Sequence, residues 1–180
     1  HDYILSIDSD EILSDELIKS IQQEFAKKEL KDAYELNFLS NYCGKWIRFG
    51  SWNPEWHIRI FNKTKIKWQV QDVHETLDIM PTHTIASLKG KILHYSYPTV
   101  EKHLAKIEHY TTLFAERAFK SGIKSTILKA YASAFYTFLS SYLLKFGFLD
   151  GYYGFVIAQN NAWYSYLKYK KLSVKWNLEL

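Results

Sequence analysis

Two aspartates one residue apart, Asp8 and Asp10, close a short apolar run, Tyr3-Ile4-Leu5-Ser6-Ile7, and Glu11 follows them. If the run is a strand leaving a sheet, both carboxylates reach toward one divalent cation. Hard cations such as Mg2+ take oxygen ligands and bind through few protein carboxylates plus substrate phosphates. The carboxyl ends of strands in an open α/β sheet are also where a cleft forms. The competing reading is that the acids cap the helix that follows. An EF-hand is disfavoured, because the sixth position from Asp8 must be glycine and is Leu13.

Further along, Asp72-Val73-His74-Glu75 offers a general base in Glu75, with His74 to hold substrate or orient it. The plainer alternative is a solvated turn. In Lys91-Ile92-Leu93-His94-Tyr95-Ser96-Tyr97, His94 ends an apolar run. Its imidazole is a candidate metal ligand or a hydrogen-bonded structural residue. Trp52, in Gly50-Ser51-Trp52-Asn53-Pro54, is read as an exposed aromatic that stacks on a sugar ring, or else as a hydrophobic plug. In His57-Ile58-Arg59-Ile60-Phe61, strand alternation puts His57 and Arg59 on one face. Arg59 then pairs with a diphosphate bidentately or forms a structural ion pair.

These residues need a scaffold, and the pattern of the chain supplies one. Ser14 before Asp15 and Glu16 reads as an N-cap with acids in the first turn, and Leu17, Ile18, Ile21 and Phe25 keep helical spacing. Residues 34–97 alternate in short runs broken by Gly44, Gly50, Pro54 and Gly90, which predicts a β-rich middle. After Pro98 three helices are expected. The first begins near Thr99 and ends at Gly122, the second covers about 125–145, and the third follows Gly151 and ends among Lys168, Lys170 and Lys171. Residues 130–144 carry no charge but fall short of the roughly 20 apolar residues of a membrane span.

Composition narrows the classes. Hydrophobic residues at 47% exclude a disordered chain, and aromatic residues at 17% favour half-wet surfaces such as clefts and interfaces. The net charge of +4 suits nucleotides, diphosphates or acidic lipid without selecting one, and no nucleic-acid motif is visible. The single cysteine, Cys43, rules out a disulfide framework and points to a reducing, cytoplasmic setting.

Taken in order, several segments resemble glycosyltransferase family 2, and within it the bacterial lipopolysaccharide-core transferases. They are residues 3–11, Gly50-Ser51-Trp52, Ile58-Arg59-Ile60-Phe61, Trp68 with Val73-His74-Glu75, His94-Tyr95-Ser96-Tyr97 and Gly147-Phe148-Leu149-Asp150-Gly151. The resemblance implies an α/β fold, namely a partial GT-A (Rossmann-like) nucleotide-sugar domain over residues 1–98 with a C-terminal helical extension over 99–180. It implies Mg2+ or Mn2+ on Asp8, Asp10 and His94, with Glu75 as catalytic base and Trp52, Arg59 and His74 binding substrate. Many relatives have Glu-Asp or a single Asp where this chain has His74-Glu75.

The implied partners are a nucleotide-sugar donor and a cell-envelope glycan or glycolipid acceptor. The C-terminal helices, with their aromatics and Lys168, Lys170, Lys171 and Lys175, are expected either to rest on the inner membrane face or to pack as a plain helical subdomain. Because the chain opens at the metal strand, a base-binding half is expected upstream of it. Two other classes stay open. One is a metal-dependent phosphohydrolase, although the haloacid dehalogenase type carries Thr or Val where Ile12 stands. The other is a non-catalytic carbohydrate- or membrane-binding module.

Overall fold

A computed structural model describes residues 2–71 and 74–178; for Val70, Gln71, His74 and Glu75 it describes the backbone alone. The chain is α/β, a sheet followed by C-terminal helices, consistent with part of a Rossmann-like domain. The strands are β1 (Tyr3–Leu5), β2 (Glu11–Leu13), β3 (Ala33–Tyr42), β4 (Lys45–Trp46), β5 (Glu55–Asn62), β6 (Trp68–Gln71), β7 (His74–Leu77) and β8 (Ile85–Tyr97). The helices are α1 (Asp15–Phe25), α2 (Val100–Lys120), α3 (Ile127–Leu139) and α4 (Gly151–Leu178). The main sheet runs β1-β5-β3-β8-β2, with β4 paired to β3, and β6 and β7 form a separate ribbon. The pairs β1–β5, β3–β5, β2–β8 and β6–β7 are antiparallel.

Contacts divide the chain into two units, residues 1–39 with 54–95, and residues 40–53 with 96–180. In the first, α1 lays Leu17 against a core of Tyr34, Leu36, Phe38, Ile60, Leu88 and Ile92. Burying side chains of this size is the main favourable term in folding, about 1.5–3 kcal/mol each. Ser14 starts the helix. Its hydroxyl accepts from Leu17 N at 3.3 Å and from Lys91 N at 2.9 Å, so the cap also ties α1 to β8. The tie needs Gly90, which adopts φ +100; a Cβ there would lie 2.3 Å from Leu17 N.

In the second unit α2 begins at its expected Thr99 cap, and α3 begins at Thr126. After Leu139 the chain makes a π-helical turn through Ser140–Leu144. The last helix continues seven residues beyond Lys171. Leu172 there is fully buried against Ala115 and Ala118, so tertiary packing extends a helix that a run of lysines was expected to end. A second core cluster joins Tyr42 and Ile47 to Val156 and Ile157 of α4, which is why residues 40–53 belong with the helices. No helix among the described residues is long and apolar enough to cross a membrane.

Candidate functional site

In the first unit β1 and β5 hold the acidic turn. Their register pairs Leu5 with Ile60, and Ser6 N donates to the Arg59 carbonyl at 2.8 Å, so the chain departs from the ladder beside Arg59. The turn then closes on itself. Glu11 N donates to the Asp8 carbonyl at 3.1 Å, and Asp8 N donates to Glu11 Oε2 at 3.0 Å. Next, β2 pairs with β8 in a register that sets Glu11 opposite His94, and Tyr95 N donates to the Asp10 carbonyl at 2.9 Å. That register brings Asp10 Oδ2 within 3.4 Å of His94 Nε2, with both groups part-exposed.

Arg59 faces the same turn. Its Nη2 donates to Glu11 Oε1 at 2.6 Å and to Asp8 Oδ2 at 3.2 Å, and its guanidinium lies over the Phe38 ring at 5.2 Å. The rings of His57 and His94 meet the same Phe38 edge-on, at 5.1 and 6.0 Å. Arg59 and His57 therefore share a face, as alternation predicts. His57 Nε2 stands 2.8 Å from Glu55 Oε1, and this bond lowers the Glu55 carboxyl below its usual range against the opposing cost of burial. Glu11 is the residue that sequence reasoning left without a role. It is 6% exposed and anchors Arg59.

In this arrangement Arg59 forms the structural ion pair that was the alternative to a diphosphate contact. Its Nη2 is committed to two carboxylates, and its Nε is buried without a hydrogen-bond partner. Asp8, Asp10 and Glu11 against one guanidinium leave the turn with a formal charge of −2, a field that draws a cation rather than a diphosphate. Among the described residues no group of three or more His, Cys, Asp or Glu side chains could hold a metal ion. Asp10 and His94 come together, while the Asp8 carboxylate is turned to Arg59.

Trp52 belongs to the second unit. The loop expected to be exposed is a 3-10 turn, Gly50–Trp52, and the indole is half-buried against Tyr42, Tyr97 and His103 at 5.4–5.6 Å. Tyr42 and Tyr97 offer it apolar ring surface, and the turn is tied down by Gly50 N donating to the Lys145 carbonyl at 2.8 Å. Beneath this cluster the Tyr42 hydroxyl, His103 Nδ1 and Asn160 Nδ2 lie within 3.1–3.2 Å of one another. Burial holds His103 down at about 4.

The segment Gly147–Gly151 gains a structural account as well. The Asp150 carboxylate accepts from Arg48 N at 3.0 Å and Phe49 N at 2.8 Å, and its carbonyl accepts from Lys45 Nζ at 2.5 Å. The motifs at 50–52 and 147–151 thus meet inside the helical unit. In β7, His74 pairs with Gln71 and Glu75 with Val70. The side chains of His74 and Glu75 lie outside those described, as do Asp72 and Val73 altogether. Trp68, in β6, sets its ring edge-on to Phe61 at 5.8 Å.

Comparison with known proteins gives relatives but no family model and no solved structure. The chain is 28% identical over 183 residues to a protein of Rickettsia typhi and 27% identical to one of Rickettsia prowazekii, each described as an uncharacterized glycosyltransferase. A Rickettsia bellii protein of the same description is 26% identical. Each alignment covers 96% of this chain and 62% of the relative, so the chain spans under two thirds of the length of the curated relatives it matches.

Proposed function

We propose that this chain is the metal-side and acceptor-side part of an inverting glycosyltransferase that uses a nucleotide-sugar donor. The observation that carries the reading is the approach of Asp10 to His94 at 3.4 Å where the chain enters β2. Two neighbouring ligands of a divalent ion with bonds near 2.1 Å stand about 3.0–3.4 Å apart, so this oxygen and nitrogen fit one Mg2+ or Mn2+ without backbone movement. Two protein ligands suit such an ion, which takes the rest of its shell from water and substrate phosphates. A cation there supplies Lewis-acid stabilisation to a departing diphosphate. The Rickettsia relatives, each described as a glycosyltransferase, support the same class.

The chain's own groups divide the remaining work. Glu11 and Arg59 hold the turn that presents Asp10. Asp8 joins the ion only by exchanging its contact with Arg59, so it is assigned the lesser part. Glu75 is assigned as the base that takes the proton of the attacking acceptor hydroxyl, with His74 beside it to hold substrate. The acceptor is a cell-envelope glycan or glycolipid, lipopolysaccharide-core-like, reached on the cytoplasmic side.

Incubating the protein at the full length of its relatives with a panel of nucleotide-sugars, envelope glycans and Mn2+ tests the reading by release of the nucleoside diphosphate. Asp10→Ala is expected to lower that release by at least about 100-fold with unchanged circular dichroism, in line with loss of several kcal/mol of metal-derived stabilisation. Normal turnover by the variant, or phosphate released from simple esters with no sugar acceptor, would count against it.

A further inference from the structure

The helical unit carries a large apolar face that nothing in the unit covers. Leu128, Tyr131 and Phe135 are spaced three and four apart on α3, which puts them on one side of the helix. These three, with Leu144 in the π-helical turn and Tyr152 at the start of α4, are 60–75% exposed. Phe146, Phe148 and Leu149 extend the exposed apolar surface through the intervening segment, where Phe146 adopts φ 59, an uncommon conformation for a residue with a side chain. Soluble proteins seldom leave contiguous apolar patches of this kind uncovered unless something binds there.

Charge selects the occupant. Residues 130–144 contain no acidic or basic side chain, and exposed Lys124, Lys129 and Lys145 bracket the stretch. The imbalance also runs through the whole unit. Its segments, 40–53 and 96–180, hold thirteen Lys and Arg against five Asp and Glu, a net +8, whereas the other unit's segments carry a net −4. A protein partner would need an apolar patch set within an acidic surface to match this face. A bilayer surface with anionic headgroups uses both at once: aromatic and aliphatic side chains enter the headgroup boundary while lysines remain among the phosphates. Tyrosine suits that boundary because its ring is apolar and its hydroxyl wet. The stretch is too short to span, so it lies in the surface plane.

We infer that the helical unit docks on anionic phospholipid membranes through the face formed by α3, the π-helical turn after it and the start of α4. The lysines of α4 expected to do this are largely occupied elsewhere. Lys171 bonds Glu108, Thr111 and Thr112, and Lys168 lies half-buried over the rings of Phe114, Tyr164 and Tyr169, whereas Lys124 and Lys129 lie over Trp176 and Tyr169 but stay exposed. The inference does not depend on the transferase reading, since membrane binding is measured without any sugar donor.

Flotation on a density gradient tests it, with vesicles of phosphatidylcholine alone and of phosphatidylcholine containing about 40 mol % phosphatidylglycerol. The protein is expected to float with the anionic vesicles at least about tenfold more than with the neutral ones, and less as salt is raised. The variant Leu128→Ser/Phe135→Ser/Leu144→Ser alters exposed positions, so it should keep the wild-type melting temperature while losing flotation about tenfold or more. Should that variant misfold, Lys124→Gln/Lys129→Gln/Lys145→Gln gives a second reading, expected to lose the preference for anionic vesicles. Failure of the wild type to float, or unchanged flotation of a folded variant, overturns the inference. So does a wild-type dimer that the serine variant converts to monomer, which would assign the face to a second copy.

Discussion

Glu11 shows how one side chain can organise a turn. Its carboxylate accepts from Asp8 N and binds the Arg59 guanidinium, so it fixes both the closing of the acidic turn and the position of the arginine beneath it. Removing one partner of such a buried pair leaves the other uncompensated. Glu11→Gln is therefore expected to destabilise the protein by about 2–3 kcal/mol, read as a shift of the urea midpoint. It should also weaken Mn2+ binding, measured by titration calorimetry, because Asp10 loses its support. A midpoint within experimental error of wild type would show that Arg59 is held by Asp8 alone.

At the level of elements, the site depends on the register of β2 against β8, and α1 helps to hold that register. Ser14 caps the helix and bonds β8 with the same oxygen, and Gly90 lets the two backbones approach. Gly90→Ala combines a left-handed φ with a Cβ 2.3 Å from a backbone nitrogen. A loss of at least about 2 kcal/mol is expected, with amide exchange accelerated first in α1 and β8. Gly154 plays a similar part on α4, where a Cβ would lie 1.9 Å from the Gly147 carbonyl oxygen. Glycines at element contacts are thus part of how the chain builds its joints.

For the molecule as a whole, charge and burial set how stability responds to acid. His103 is 4% exposed and neutral, and burial, helped by Lys106, lowers it to about 4 from an ordinary 6.5. The unfolded chain takes up this proton near pH 6.5 and the folded chain only near 4. Stability is therefore expected to fall as pH drops from 6.5 to 4 and to lose nothing further from this residue below that. The contribution is at most about 3 kcal/mol. Melting temperatures across this window should flatten in His103→Gln, and an unchanged slope would show that another group carries it. Asp32 acts at lower pH. Lys65 and the Thr84 backbone and hydroxyl hold its carboxyl well below the usual range, so its contribution disappears only as pH falls below the ordinary carboxylate value.

The sequence by itself determined the α/β class, the caps at Ser14 and Thr99, the shared face of His57 and Arg59, and the acidic turn after a short strand. All of these depend on residues a few positions apart, where backbone periodicity and hydrogen-bond reach decide the outcome. Tertiary structure alone decided that His94 meets Asp10 across 84 residues of chain, that Arg59 meets Glu11, and that Trp52 is packed into a cluster with Tyr42, Tyr97 and His103. It also decided that α4 runs on past its lysines and that Leu128, Tyr131 and Phe135 of α3 face outward. Strand register and helix docking are set by burial summed over the whole fold, and no local pattern records which distant surface a side chain will meet.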